Sequence, residues 1–181
     1  MVGWWEVVMI TLIIGQRIIE LYIAKRNRTW ALAAGAQEFG ARHYPLFFLL
    51  HIGWLVGWVG ESSRSGGAVS EFWYLWIGLF IIAQGLRYWC MVSLGRLWNT
   101  RILVIPEGTA ICKGPYRFLR HPNYLAVAIE LISVPLIFGA VITAILTTFL
   151  NAVLILGIRI PQENLALGLL KQVSSKEWGS G

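Results

Sequence analysis

The sequence predicts an all-α integral membrane protein of about five transmembrane helices, the last two forming a tight helical hairpin, with the N-terminus outside and the C-terminus cytosolic. Three observations lead there. Of 181 residues, 57% are hydrophobic and only 13% are charged, too little polar surface to coat a soluble globule of this size. Apolar runs recur along the chain at lengths near the roughly 20 residues that cross a bilayer as a helix. The basic residues, which leave a formal charge of +6, gather in alternate connections instead of spreading evenly.

The first apolar run, 4–23, has no basic stretch ahead of it and no small-residue cleavage site after it, so it is expected to persist as a helix and not as a removable signal peptide. The connection that follows carries Lys25, Arg26, Arg28 and Arg42, which places it in the cytosol. Spans at 44–60 and 71–92 come next, and the connection between them has Arg64 as its lone basic residue, so it falls outside. The runs 123–138 and 140–158 are nearly continuous. Pro135 and Gly139 interrupt them, and a hairpin accounts for this better than one overlong helix. Arg96, Arg101, Lys113, Arg117 and Arg120 fill the connection between the third and fourth spans, and Lys171 and Lys176 follow the fifth; both stretches are therefore cytosolic. Residues 1–170 read as one transmembrane domain. The tail 171–181 has lost hydrophobic periodicity, ends in Gly-Ser-Gly and is assigned no function. The charge excess thus follows topology and argues against a nucleic-acid partner. No internal repeat is visible, which weakens a transporter built from duplicated halves.

His121 followed by Pro122 suits a helix entrance, because proline in the first turn lacks only an N–H that would be unsatisfied there. The fourth span would then turn its free backbone N–H groups into the Arg-rich connection, an arrangement that favours anions. Arg117, Arg120 and His121 could grip a carboxylate, phosphate or ribose, with Tyr116, Tyr124 and Trp98 offering stacking or hydroxyl contacts. The same cations would also serve simply to anchor the helix among lipid headgroups. Arg159 and Glu163 stand four apart where the fifth span leaves the bilayer, sharing a face of any unbroken helix. They could accept a proton and hold an anionic group, or form an interfacial ion pair of small energetic worth. Pro161 between them breaks a helix hydrogen bond and could open a new cytosolic helix instead.

Inside the spans lie Arg17, Glu20, Gln84, Arg87 and Glu130, each expensive in hydrocarbon. Arg17 and Glu20 are three apart, which suits pairing and snorkelling. Glu130 lies about 12 Å along the fourth span from Pro122 and has no basic residue within four positions. Either Arg87 or Arg17 crosses to it, or it lines a cavity open to the cytosol. His43 and His51 are isolated, the chain has no aspartate, and Cys90 and Cys112 read as ordinary free thiols, so no metal site is expected. No G-x-G-x-x-G is present for a Rossmann-type cofactor site.

The run GPYRFLRHPNYLA at 114–126, preceded by LGRLWNTRI at 94–102 and followed by RIPQENLAL at 159–167, resembles the isoprenylcysteine carboxyl methyltransferase family, in particular its small bacterial and archaeal branch. The likeness extends to KRNRTWALAAGAQEFGARHYP at 25–45. It implies an S-adenosylmethionine-dependent methyltransferase domain over 1–170, whose cofactor pocket forms from the cytosolic ends of the last helices and the connecting loop. By that resemblance Gly114, Pro115, Tyr116, Arg120, His121, Pro122 and Tyr124 would hold S-adenosylmethionine, while Arg159 and Glu163 would stand at the methyl-transfer site. Glu130 and Arg87 are assigned to an acceptor channel. The acceptor would be a lipophilic small molecule or a prenylated cysteine entering sideways from the bilayer, methylated on its carboxylate or, as in relatives acting on long-chain polyketide lipids, on a hydroxyl. The expected setting is the plasma membrane of a prokaryote, with the active site facing the cytosol, membrane lipids around it, and neither metal nor nucleic acid. Two positions depart from the family pattern: Asn164 replaces a second acidic residue, and Ala126 stands where many relatives have glycine. The competing class is a small transporter or channel subunit with Glu130, Arg87 and Arg17 along a polar pathway.

Overall fold

Among the described residues the chain forms five α-helices, in the order α1 (Trp4–Ala33), α2 (Tyr44–Arg64), α3 (Trp73–Leu94), α4 (Pro122–Ile137) and α5 (Val141–Leu154). The computed structural model describes residues 3–106 and 111–168; the tail 171–181 lies outside the described residues. Four helical stretches are long and apolar enough to cross a membrane, including one that runs from Val141 to Gly168. The fourth of the five anticipated spans, α4, is shorter at 16 residues. It packs against both α3 and α5 and is the helix with most of its surface hidden, from Glu130 through Ile137. A helix enclosed by its neighbours need not match the bilayer thickness by itself.

The expected hairpin is present: α4 ends at Ile137, Gly139 takes a φ of 68° and α5 begins at Val141. Left-handed φ is accessible to glycine without the penalty a Cβ would bring. Pro135 sits inside α4, where its missing N–H frees the carbonyl four residues back. That carbonyl is Leu131, and it accepts a 3.1 Å hydrogen bond from Trp54 Nε1 on α2. An apolar span therefore keeps its backbone satisfied through a neighbour's side chain. Below this contact Trp58 stacks on Phe138 at 5.0 Å between ring centroids, in a core with Ile13, Leu131 and Val134. Glu61 at the end of α2 accepts from the backbone N–H groups of Ile142 and Thr143, at 2.9 and 2.8 Å, capping α5 from another helix.

Three details differ from expectation. Lys25, Arg26 and Arg28 lie on the last turns of α1, which outruns its apolar stretch by almost three turns, and not in a free connection. The fold is not purely helical, because β1 (Gln37–Phe39) pairs antiparallel with β2 (Ile102–Val104), tying the first basic connection to the second. The last span continues past residue 158 to 168, crossing a π-helical turn at Ile155–Arg159.

Glu130 resolves in favour of pairing, and with both candidates. Arg17 reaches one of its oxygens at 2.5 Å and Arg87 binds the other. Glu20 accepts from Arg17 at 2.5 Å and faces Arg87 at 3.4 Å, while Gln16 links Glu20 to Gln84. Two arginines and two glutamates thus join α1, α3 and α4 in a buried set with no net charge.

Candidate active site

Above that charged set the basic end of the bundle holds a cavity of about 710 Å³. Its roof is built by the second connection, which is tied down onto α1. Asn27 Nδ2 donates to the carbonyls of Gly95 and Trp98 at 3.2 and 2.7 Å, and Asn99 Nδ2 donates to Ala24 O at 3.0 Å. Glu38 on β1 clasps Arg28, at 2.8 Å, and Arg101. Burial by itself would push the Glu38 carboxyl up, but hydrogen bonds and charge from Arg101 and Arg28 outweigh it and hold the group below the usual carboxylate range. Arg101 in turn lies 4.2 Å over the Tyr44 ring, within cation–π range.

The Gly114 turn seats this connection on α3. Gly114 has a φ of 56°, and a Cβ there would collide with Ser93 Oγ and the Trp89 indole nitrogen. Only glycine allows the close approach. Pro115 is buried in the short 3₁₀ turn that follows, and Pro122 is buried as the first residue of α4, with His121 at the N-cap as anticipated. Gly114, Pro115 and Pro122 therefore shape the wall without lining the cavity. Tyr116 does line it, and burial raises its phenol above the ordinary tyrosine value.

The centre of the site lies between the start of α4 and the extension of α5. Tyr124 donates its hydroxyl to Glu163 Oε1. Arg159 Nε lies 3.0 Å from the Tyr124 oxygen and 3.2 Å from the same carboxylate oxygen. His121 Nδ1 stands 3.4 Å from the other oxygen, with its ring stacked on Tyr124 at 5.2 Å and 12°. Pro161 does not end the helix. Its missing N–H and its ring would disturb an α-turn closed on Gly157, and the chain instead widens into a π-turn, in which the N–H of Ile160 returns to Ile155 O. The result keeps Arg159 and Glu163 on one side.

Arg120 and Arg87 also line the cavity, Arg87 at its deep end with Arg17 and Glu20. Glu130 is fully buried behind those arginines and is not part of the lining. Arg117 points away, over the Phe118 ring. Trp98 joins the wall, and so do residues that sequence reasoning did not single out: Tyr44, Phe47, Asn123, Asn151 and Arg101. Arg101 falls within the LGRLWNTRI run, Asn123 within GPYRFLRHPNYLA and Tyr44 within the run 25–45, so those motifs carried a signal; Phe47 and Asn151 carried none apart from the fold. Among the described residues no group of three histidine, cysteine or glutamate side chains could hold a metal ion.

Residues 76–168 match the family described as the isoprenylcysteine carboxyl methyltransferase (ICMT) family. "Uncharacterized protein YpbQ" of Bacillus subtilis is 37% identical over 159 residues, covering 88% of this chain and 94% of that protein. An "Uncharacterized protein" of Haemophilus influenzae is 26% identical over 159 residues, covering 87% of this chain and 92% of its own length. No solved structure matches the chain.

Proposed function

The chain belongs to the isoprenylcysteine carboxyl methyltransferase family, and from that premise we propose that it is an S-adenosylmethionine-dependent O-methyltransferase acting on a lipophilic acceptor drawn from the membrane. The observation that carries the reading is the convergence of His121, Tyr124, Arg159 and Glu163 on one wall of a cavity that is polar at the basic end and apolar between α1 and α2. A water-borne donor and a greasy acceptor can meet only where both kinds of wall meet. The cavity volume lies within the range of small-molecule sites.

The residues present fit the donor. Trp98 Nε1 and Asn123 Oδ1 are buried in lining residues without a hydrogen-bond partner among the described residues, which a polar ligand would relieve. Arg101, Arg120 and His121 surround the opening with cationic and donor groups suited to its carboxylate, and Tyr116 and Trp98 offer aromatic faces to its adenine. Bound S-adenosylmethionine supplies a methyl group on a positively charged sulfur, open to direct displacement by an oxygen.

The chain's own residues then position and deprotonate. Arg159 orients the acceptor oxygen and Tyr124 keeps the Glu163 carboxylate aligned. A carboxylate acceptor, such as that of a prenylated cysteine, arrives ionised and needs only positioning. A hydroxyl acceptor, such as that of a long-chain polyketide lipid, gives its proton to Glu163. The basic end faces the cytosol in this reading, where the donor is made. The polar-pathway alternative loses its support, because Arg17, Arg87, Glu20 and Glu130 are occupied with one another.

Protein purified in detergent should bind S-adenosylmethionine by titration calorimetry. Its heat midpoint should rise with donor concentration, by about 2.7 kcal/mol of stabilisation at a hundredfold excess over Kd. Absence of both heat and shift at millimolar donor would reject the assignment.

A further inference from the structure

The cavity does not become purely apolar away from the methyl-transfer site. Asn151 on α5 lines it eight residues before Arg159, about 12 Å deeper at helical rise. It is 2% exposed, and its Oδ1 has no hydrogen-bond partner among the described residues. An unpaired amide in a membrane-spanning helix is costly. His51 on α2 also lines the cavity, one helical turn below Phe47, whose ring lies under the Arg159 guanidinium at 5.9 Å. Its Nδ1 sits 2.7 Å from Phe47 O and so carries the proton in that hydrogen bond, which leaves Nε2 an acceptor. Arg17 on α1 completes the ledge, its side chain 25% accessible although both neighbouring carboxylates are bound. Polar groups from three helices therefore line the stretch that the acceptor's chain must pass.

We propose that this ledge of Asn151, His51 and Arg17 is a second polar subsite, which recognises a hydroxyl, keto or amide group on the acceptor's chain about 12 Å beyond the oxygen that is methylated. The acceptor is thus a lipid oxygenated along its length, and not one whose head is its only polar group. The inference rests on the methyl-transfer reading of the same cavity. A plain hydrocarbon tail would leave the Asn151 amide unpaired, and a site built around a hydrogen bond discriminates against a ligand lacking it.

The test compares stearic acid with a stearic acid hydroxylated near mid-chain, bound to the full chain in detergent without donor and followed by tryptophan fluorescence. One hydrogen bond of ordinary worth predicts that the hydroxylated acid binds about fivefold to tenfold more tightly to the wild type. Asn151→Leu should bring the two acids to within about twofold, because the hydroxylated acid loses its partner and stearic acid no longer leaves an amide unpaired. His51→Leu is the second variant should the first fail to fold, with the same expected loss of preference. Equal binding in the wild type, or a preference that survives in the folded variant, overturns the subsite. Donor binding, measured separately, sinks the methyltransferase reading if absent, whereas lipid discrimination is read without it.

Discussion

Under the proposed chemistry, Glu163 is the residue on which the choice of acceptor turns. Its carboxylate receives Tyr124 and Arg159 on one oxygen and faces His121 with the other, so it is held in place and still accessible to a proton. Glu163→Gln keeps the shape and removes the basicity. If the natural acceptor is a hydroxyl, turnover should fall by about a hundredfold or more, the usual worth of a positioned general base. A carboxylate acceptor should lose less than about tenfold, since its oxygen is already charged. Donor affinity should change little in either case, and a radiolabelled-methyl assay with both acceptor classes, beside calorimetry of the donor, separates these outcomes. Unchanged turnover on both would remove Glu163 from the chemistry. These central residues were legible in the sequence, because His121, Tyr124, Arg159 and Glu163 sit in two compact motifs. Asn151 and His51 were not: each is a lone polar residue in an apolar run, and only the approach of α2 and α5 gives them a common cavity.

Among the elements, helices were readable and their ends were not. Apolar runs and the Pro135–Gly139 interruption announce five helices and a hairpin, yet hydropathy stops where charge begins, so the extension of α1 through Lys25, Arg26 and Arg28 looked like loop. The β1–β2 pair is only three residues on each side and shows no alternation long enough to detect. Its stability rests instead on Glu38 between Arg28 and Arg101. Because the folded carboxyl titrates below its unfolded value, the clasp contributes fully above the ordinary carboxylate range and is lost as pH falls through the folded value. The stabilities of wild type and Glu38→Gln, followed by their heat midpoints, should therefore differ by about 1 kcal/mol near neutral pH, given that Arg28 is partly exposed. The two curves should converge in acid. A gap that stays constant across the whole range would show that the carboxylate's charge is not what holds the strands. Since Arg101 also lines the cavity, donor affinity should weaken over the same acidic interval.

At the scale of the whole molecule, the question is what holds α1 to α3 and α4 besides the packing of Ile13 in the core and the hydrogen bonds of Asn27 and Ala24 to the second connection. The sequence left two fates open for Glu130, and the structure shows it bound by Arg17 from α1 and Arg87 from α3. With Glu20 the set is neutral, so its burial is tolerable only while its charges stay balanced. Removing one partner strands a charge in hydrocarbon, a loss of about 3–5 kcal/mol for buried pairs, whereas replacing a whole pair by apolar side chains is often neutral or better. Arg87→Leu should therefore lower the heat midpoint sharply and reduce the yield of folded protein. The double variant Arg87→Leu with Glu130→Leu should recover most of the loss, because Arg17 and Glu20 remain as a balanced pair. The double-mutant cycle measures this directly: a coupling of several kcal/mol supports a single ionic joint, and losses that simply add would mean that Arg87 and Glu130 stabilise the bundle independently. Donor binding by the recovered double variant would further place the joint among the scaffold's fastenings, outside the transfer chemistry.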